Sequence, residues 1–267
     1  MNDFKILFKK DMLEIFRTKK WLIYLITFLA IVVISVVTAR LLPELLNLLL
    51  IGTEAEGMYE YQYSVGDSYV QFVSNMGQIG WLLIAIMFST SLVREKTHGT
   101  YQMLKSNGVS EFKIVLSHFL TKLVLITLAY LASLILFIPM NLIIFKEYAG
   151  LRGFVSLSYL YLSLVFALSL ALFVSSLVNK NKAGYVIVII IYFVLTILSV
   201  FPYIDIYNPL YGLTLANNII IKTDYEISDY LINLFVTIAL NVGLIIASIY
   251  LFKNKVDNRK SIWEKKF

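Results

Sequence analysis

The 267-residue chain contains no cysteine. That excludes a disulfide framework, a thiolate metal site and a cysteine nucleophile. Histidine is nearly absent as well: His98 and His118 are the only two, which leaves little from which to build a zinc site. Charge is sparse, at 15% of residues against about 25% in an ordinary soluble domain. Hydrophobic residues make up 59% and the mean hydropathy is +0.79. This balance excludes a globular cytosolic protein, a disordered chain and a small secreted domain. There is no Gly-x-x-x-x-Gly-Lys-Ser/Thr segment either, so the chain has no loop of the usual kind for ATP phosphates.

What is present is a set of long apolar runs. Six stretches lack Asp, Glu, Lys and Arg: Trp21–Ala39, Ser68–Val93, Leu123–Phe145, Gly153–Asn179, Ala183–Ile204 and Tyr230–Phe252. Each has roughly the 20 residues needed to cross a hydrocarbon core about 30 Å thick. The second is expected to begin near Ile79, after the polar Ser74-Asn75-Met76-Gly77-Gln78. Leu45–Gly52 is too short to cross. Ile206–Ile221 holds Asn208, Pro209, Asn217 and Asn218, so it reads as a surface or re-entrant segment, broken before the last span. The expected fold is an all-α membrane protein in one domain, 1–267. It comprises an interfacial arm (1–20), a six-span bundle (21–252) and a basic tail (253–267).

The net charge of +6 is placed one-sidedly. Nineteen of the 23 basic residues fall in the amino-terminal arm, the second and fourth loops and the tail. Ten of the 17 acids, among them Glu54, Glu56, Glu60 and Asp67, fall on the other side. Basic loops stay in the cytoplasm, so both termini are expected inside. The excess charge then needs no nucleic-acid partner. Val37-Thr38-Ala39 weakly resembles a signal-peptide cleavage site. The apolar run before it exceeds the usual stretch of about 7–15 residues, so the first span is expected to remain.

In the arm, Phe4, Leu7, Phe8, Met12, Ile15 and Phe16 recur at steps of three and four, with Lys5, Lys9, Lys10 and Glu14 mainly off that stripe. The pattern predicts a helix in the membrane interface, apolar face in lipid. The first outer loop carries Tyr59, Tyr61, Tyr63 and Tyr69, an aromatic rim before it is a ligand lid. Small residues recur every four positions in two spans: Ser163, Ala167, Ala171 and Ser175 in the fourth, Ala239, Gly243 and Ala247 in the sixth. These read as faces for close helix packing. Pro139, followed by Asn141, is expected to bend the third span. None of the six windows holds an ionisable residue, which argues against an ion-coupled carrier and an intramembrane hydrolase. No catalytic residue and no metal site is expected. His98 reads as a solvated surface residue.

The second cytoplasmic loop, Ser91 to Ile114, is the most informative segment. Gly99 can end the helical extension of the second span, since glycine tolerates positive φ. Thr100 is a plausible N-cap for a short helix from about Tyr101 to Lys105. Asn107-Gly108 breaks that helix, Ser110 can cap the next, and Glu111 suits its first turn. Tyr101 and Leu104 would offer an apolar face.

An apolar helix running into Glu95-x-x-x-Gly99-Thr100, then a short helix containing Leu104, a turn and a basic amphipathic lead into the next span, resembles the permease subunits of type-2 ATP-binding-cassette (ABC) transporters. Where members often carry proline, arginine and Gly-Lys further on, this chain has Gly108-Val109, Glu111-Phe112 and Ser117-His118, with Lys122 one turn later. The resemblance implies that Glu95, Gly99, Thr100, Tyr101, Leu104 and Lys105 form a coupling helix docking on an ABC-type ATPase subunit. Glu95 would anchor it by pairing with a cation of that partner or of the interfacial arm. It also implies a second permease subunit, identical or related, in a bacterial cell membrane. No cofactor is expected in this chain; ATP and Mg would sit in the ATPase. A charge-free interior fits export of an apolar or amphipathic cargo such as a peptide, drug or lipid-like molecule. The competing readings are an intramembrane enzyme and an ATP-independent channel or carrier.

Overall fold

The structure, a computed structural model, describes residues 2–50, 64–97, 99–221 and 226–264. Every regular element among them is helical. Tyr59, Tyr61, Tyr63, Glu54, Glu56, Glu60 and His98 lie outside the described residues.

Helix α1 (Asn2–Arg17) is closed by a turn in which the Thr18 hydroxyl donates to the Glu14 carbonyl and Lys19 takes a φ of +55°. Helix α2 (Lys20–Leu50) follows and absorbs the short apolar piece beyond Ala39, with Pro43 inside it. Its buried face carries Tyr24, Phe28, Val32 and Val36.

The second span differs from the sequence expectation. It does not begin near Ile79. Ser64 and Asp67 form a reciprocal capping box that starts α3 (Val65–Asn75). A π-helical turn, Met76–Gly80, leads into α4 (Trp81–Phe88) and then α5 (Ser91–Thr97). The polar stretch stays inside because its side chains find partners on other helices. Asn75 Nδ2 donates to Ser35 Oγ at 2.9 Å, and Asn217 Nδ2 to Ser74 Oγ at 3.3 Å. A Cβ on Gly77 would lie 2.6 Å from the end of the Leu213 side chain, which would have to shift to admit it. Tyr69 is likewise not at a rim. It is buried, its ring 4.9 Å from that of Phe137.

The short helix α6 (Thr100–Ser106) joins the second span to α7 (Glu111–Ile144). Helix α7 starts well before Leu123 and continues through Pro139, where Asn141 Nδ2 donates to the Phe137 carbonyl. Next come α8 (Gly150–Leu177) and α9 (Asn181–Leu198). The outer segment is broken as expected: a 3-10 turn (Asp205–Tyr207), Asn208-Pro209, then α10 (Tyr211–Ile221). Asn208 Nδ2 donates to the Leu195 carbonyl and Asn233 Nδ2 to the Asn208 carbonyl, which pins the break between α9 and α11 (Ile227–Glu264).

Among the described residues, six helical stretches are long and apolar enough to cross a membrane: Lys20–Leu45, Val65–Thr97, Glu111–Ile144, Gly150–Leu177, Asn181–Leu198 and Ile227–Lys253. Helix α8 is the spine, packed against α4, α10 and α11. Ser163, Ala167, Ala171 and Ser175 are all at most 1% exposed. The last of these does more than leave room. The turn at Ser89-Thr90 interrupts the ladder between α4 and α5 and frees N–H groups at the start of α5. Ser175 Oγ accepts the Leu92 N–H at 2.7 Å. The stripe on α11 has the opposite fate. Ala239 and Gly243 are exposed, and a Cβ added at Gly243 would meet nothing within 4 Å.

One end of the bundle gathers the arm, the short helix and the end of the membrane-spanning part of α11. Asp3 pairs with Lys113 at 2.8 Å, and the Phe252 ring lies 5.0 Å from the Tyr101 ring, edge to face.

Candidate functional site

Three elements converge at that end: α1, α5 and the first turns of α7. The face of α1 that meets α7 is Leu7, Asp11 and Ile15, each buried. The arm therefore packs on protein along one side, and Ile6, Leu13 and Phe16 are its exposed apolar residues. An acid in the middle of a buried helix face needs partners. Ser117 Oγ donates to Asp11 Oδ2 at 2.7 Å. From the residue just before Asp11, Lys10 Nζ donates to Glu95 Oε1 at 2.6 Å. The cation that Glu95 meets is thus in the arm.

His118 stands between the two carboxylates. Its Nε2 is 3.5 Å from Glu95 Oε1 and its Nδ1 is 3.8 Å from Asp11 Oδ2. Lys122 Nζ is 2.8 Å from His118 Nδ1. An ammonium can only donate, so Nδ1 is assigned as the acceptor and Nε2 as the N–H that faces Glu95. Lys122 also donates to the His118 carbonyl at 3.2 Å and lies 5.7 Å from the centre of the Phe88 ring. Asp11, Glu95, His118 and Lys122 are each only 5–6% exposed. The expectation of a bundle free of buried charge is corrected at this end. Because α7 begins at Glu111, His118 and Lys122 are helical and enclosed, not part of a solvated loop.

Among the described residues, Asp11 Oδ1 and Glu95 Oε2 have no hydrogen-bonding partner. They border a cavity of about 50 Å³ that also touches Lys20 and Arg94. That is polar and roomy enough for water. Ligand atoms of Asp11, Glu95 and His118 lie within 4.8 Å of one another, close enough to share a metal ion. Two ammonium groups, Lys10 and Lys122, already stand against this set. They supply the compensating charge, so the geometry is that of an ion-pair network.

The short helix is fastened to the same end. Gly99 takes φ +73° and occupies the N-cap position, and Gly108 takes φ +76° in the turn after the helix. Thr100 is the first residue inside the helix, and no side chain caps it, which corrects the expected N-cap. Tyr101 is 3% exposed and points inward. Its hydroxyl donates to Glu111 Oε1 at 2.9 Å, and Lys105 Nζ pairs with the same oxygen at 2.8 Å. Burial, with the Glu111 carboxylate accepting its proton, pushes the Tyr101 hydroxyl up to about 12. It therefore stays a donor through the physiological range. Lys96 Nζ donates to the Ser176 carbonyl at 2.8 Å, beside the carboxyl end of α8. Ser110 stands at the N-cap position of α7 in extended conformation, but its side chain makes no capping hydrogen bond; Glu111 lies in the first turn.

Of the residues singled out in the sequence, Glu95, Gly99, Thr100, Tyr101, Leu104 and Lys105 do come together at one end. Tyr101 and the half-buried Leu104 face the bundle rather than outward. The open side of α6 is Gln102, Met103 and Ser106, with Met103 68% exposed. A recess of about 330 Å³ lined by Lys10, Glu14, Arg94, Glu95 and Thr100 lies beside it. Sequence reasoning missed Asp11, His118, Lys122 and Phe252. For Asp11 the signal was legible: it sits four residues from both Leu7 and Ile15, inside an apolar face.

A family model described as ABC-2 type transporter matches residues 2–211. No match was found among curated proteins.

Proposed function

The chain belongs to the ABC-2 type transporter family and is a multi-pass membrane permease, and on that premise we propose that it serves an ATP-driven exporter whose engine is a separate ATPase subunit. The observation that carries this reading is the fastening of α6. Tyr101 and Lys105 tie it to Glu111 at the head of α7, Tyr101 packs on Phe252 at the end of the membrane-spanning part of α11, and the Met103 side is left open. A push on that open side would be delivered to two spans at once. The Lys10–Glu95–His118 contacts would carry it to the arm and to α5, so the end of the bundle would move as a unit. Alternating access would follow from ATP-dependent closure of the partner against α6.

In this reading the basic end is cytoplasmic, with both termini there, as the charge bias argues. A second permease subunit, identical or related, would complete the path. The apolar character of the spans favours an amphipathic or lipid-like cargo, a peptide or a drug, over a strongly anionic one. The test is isolation of the native complex in mild detergent. An ATPase of the cassette type should accompany the chain, and cargo flux in vesicles should require ATP inside the partner's compartment. Recovery of the chain alone, with flux that ignores ATP, would overturn the proposal.

A further inference from the structure

The outer flank of α7 and α8 carries a groove that the transport reading does not use. It has a volume of about 480 Å³ and is lined from α7 by Thr127, Tyr130, Leu134 and Ile138 and from α8 by Phe154 and Tyr161. Tyr69 of α3 closes one end, next to the α7–α8 turn. The walls are apolar. The polar atoms in the floor are already paired: Thr127 Oγ1 with the Tyr161 hydroxyl at 2.6 Å, and the Tyr130 hydroxyl donating to the Leu157 carbonyl at 2.7 Å. An occupant therefore has no hydrogen bond to make, and a hydrocarbon suits it.

The dimensions and the flanks narrow this further. At ~1.5 Å per residue, Thr127 to Ile138 spans about 16 Å. That is about half of a hydrocarbon core of ~30 Å, the depth of one leaflet. The groove opens toward the face where Leu131 is 48% and Phe154 69% exposed, a face turned to lipid in a membrane-spanning chain. The end of the groove lined by Tyr148 and Gly150 is flanked by two exposed cations, Lys146 in the turn between α7 and α8 and Arg152 in the first turn of α8, with the exposed Glu147 next to Lys146. Cations with an aromatic ring at the end of an apolar slot match a phosphate above an acyl chain.

We propose that this groove is a seat for one phospholipid of the leaflet at the α7–α8 turn, its acyl chain lying between α7 and α8 and its phosphate against Lys146 and Arg152. The seat depends on the chain's being embedded in lipid, not on what it transports.

The experiment places the full-length chain in vesicles of phosphatidylethanolamine and phosphatidylglycerol, the latter carrying a photoactivatable diazirine on its acyl chain. Adducts are located by mass spectrometry. Labelling at Leu131, Leu134 and Phe154 should exceed that at the lipid-facing Ile190 and Phe193 of α9 at least tenfold. Leu134→Trp should bring the groove down to the α9 level while α9 labelling stays unchanged. Ser158→Leu, which fills the groove from the α8 wall instead, should do the same and guards against a folding failure of the first variant. Lys146→Gln with Arg152→Gln should cut groove labelling at least threefold. Equal labelling of groove and α9 would overturn the proposal. So would a disulfide between two copies carrying Phe154→Cys, which would put a second chain on this face, or indifference to the loss of both cations.

Discussion

The α8 spine and the junction at the basic end are both buried, yet they are built on opposite terms. Along α8, close approach comes from Ala167 and Ala171, and the polar atom that matters, Ser175 Oγ, answers a break in the neighbouring helix. At the junction, two carboxylates, a histidine and two lysines hold three elements together. A packed interface has one arrangement and resists change. A network of charged pairs ties three elements at discrete points, so it suits an end of the bundle that is displaced as a unit. The comparison teaches where this permease is rigid and where it can be moved.

The first way to break it is to overfill the spine. Ala167→Leu with Ala171→Leu should cost about 1–3 kcal/mol each, and the chain should no longer accumulate as a folded membrane protein, read by detergent-solubilised yield and a monodisperse gel-filtration peak. Survival of the double variant with an unchanged melting temperature would mean that α8 is not the spine. Next in size is Glu95→Ala. It should still insert but melt below the parent, because Lys122 is left buried with less compensation, and ATP hydrolysis coupled to transport should fall at least tenfold per folded complex. Full coupling would remove the role given to the Lys10–Glu95 pair. A smaller effect is expected of Gly99→Ala. Nothing crowds the added methyl, so its cost is backbone strain alone, about 1–2 kcal/mol at positive φ, confined to the short helix. Faster proteolysis after Thr97 with an intact bundle would show this. Gly243→Leu should do least: the site is open, and the melting temperature of the single chain should not change. A loss comparable to that at Ala171 would erase the contrast between the two small-residue stripes.

How much of this was legible follows from where the information sits. All six spans could be read, because a long apolar run is a local property. The broken outer segment could be read too, since Asn208 and Pro209 carry their turn with them. The start of the second span could not. Ser74 and Asn75 look like loop residues until Asn217 and Ser35 arrive from elsewhere in the chain. The same holds for Lys122, a charge that hydropathy assigns to a loop and that His118, one turn earlier on α7, helps to bury. The glutamate, the two glycines and the short helix were visible as a motif. Which side of that helix faces out was not, because Tyr101 and Met103 differ in burial only through Phe252 and Glu111. The small-residue pattern in α11 was as clear as that in α8. A pattern licenses close approach but does not supply a partner, and among the described residues the α8 stripe is covered while Ala239 and Gly243 of the α11 stripe are exposed.

The claim beneath the account is that the open side of α6 is where a cytoplasmic ATPase takes hold. The absence of native cysteine makes a single reporter clean. Met103→Cys, in cells that make the whole transporter, should resist an impermeant maleimide added outside and should cross-link to the ATPase subunit with a short bifunctional reagent. Labelling from outside, or an ATPase that never cross-links there in a working transporter, would contradict it.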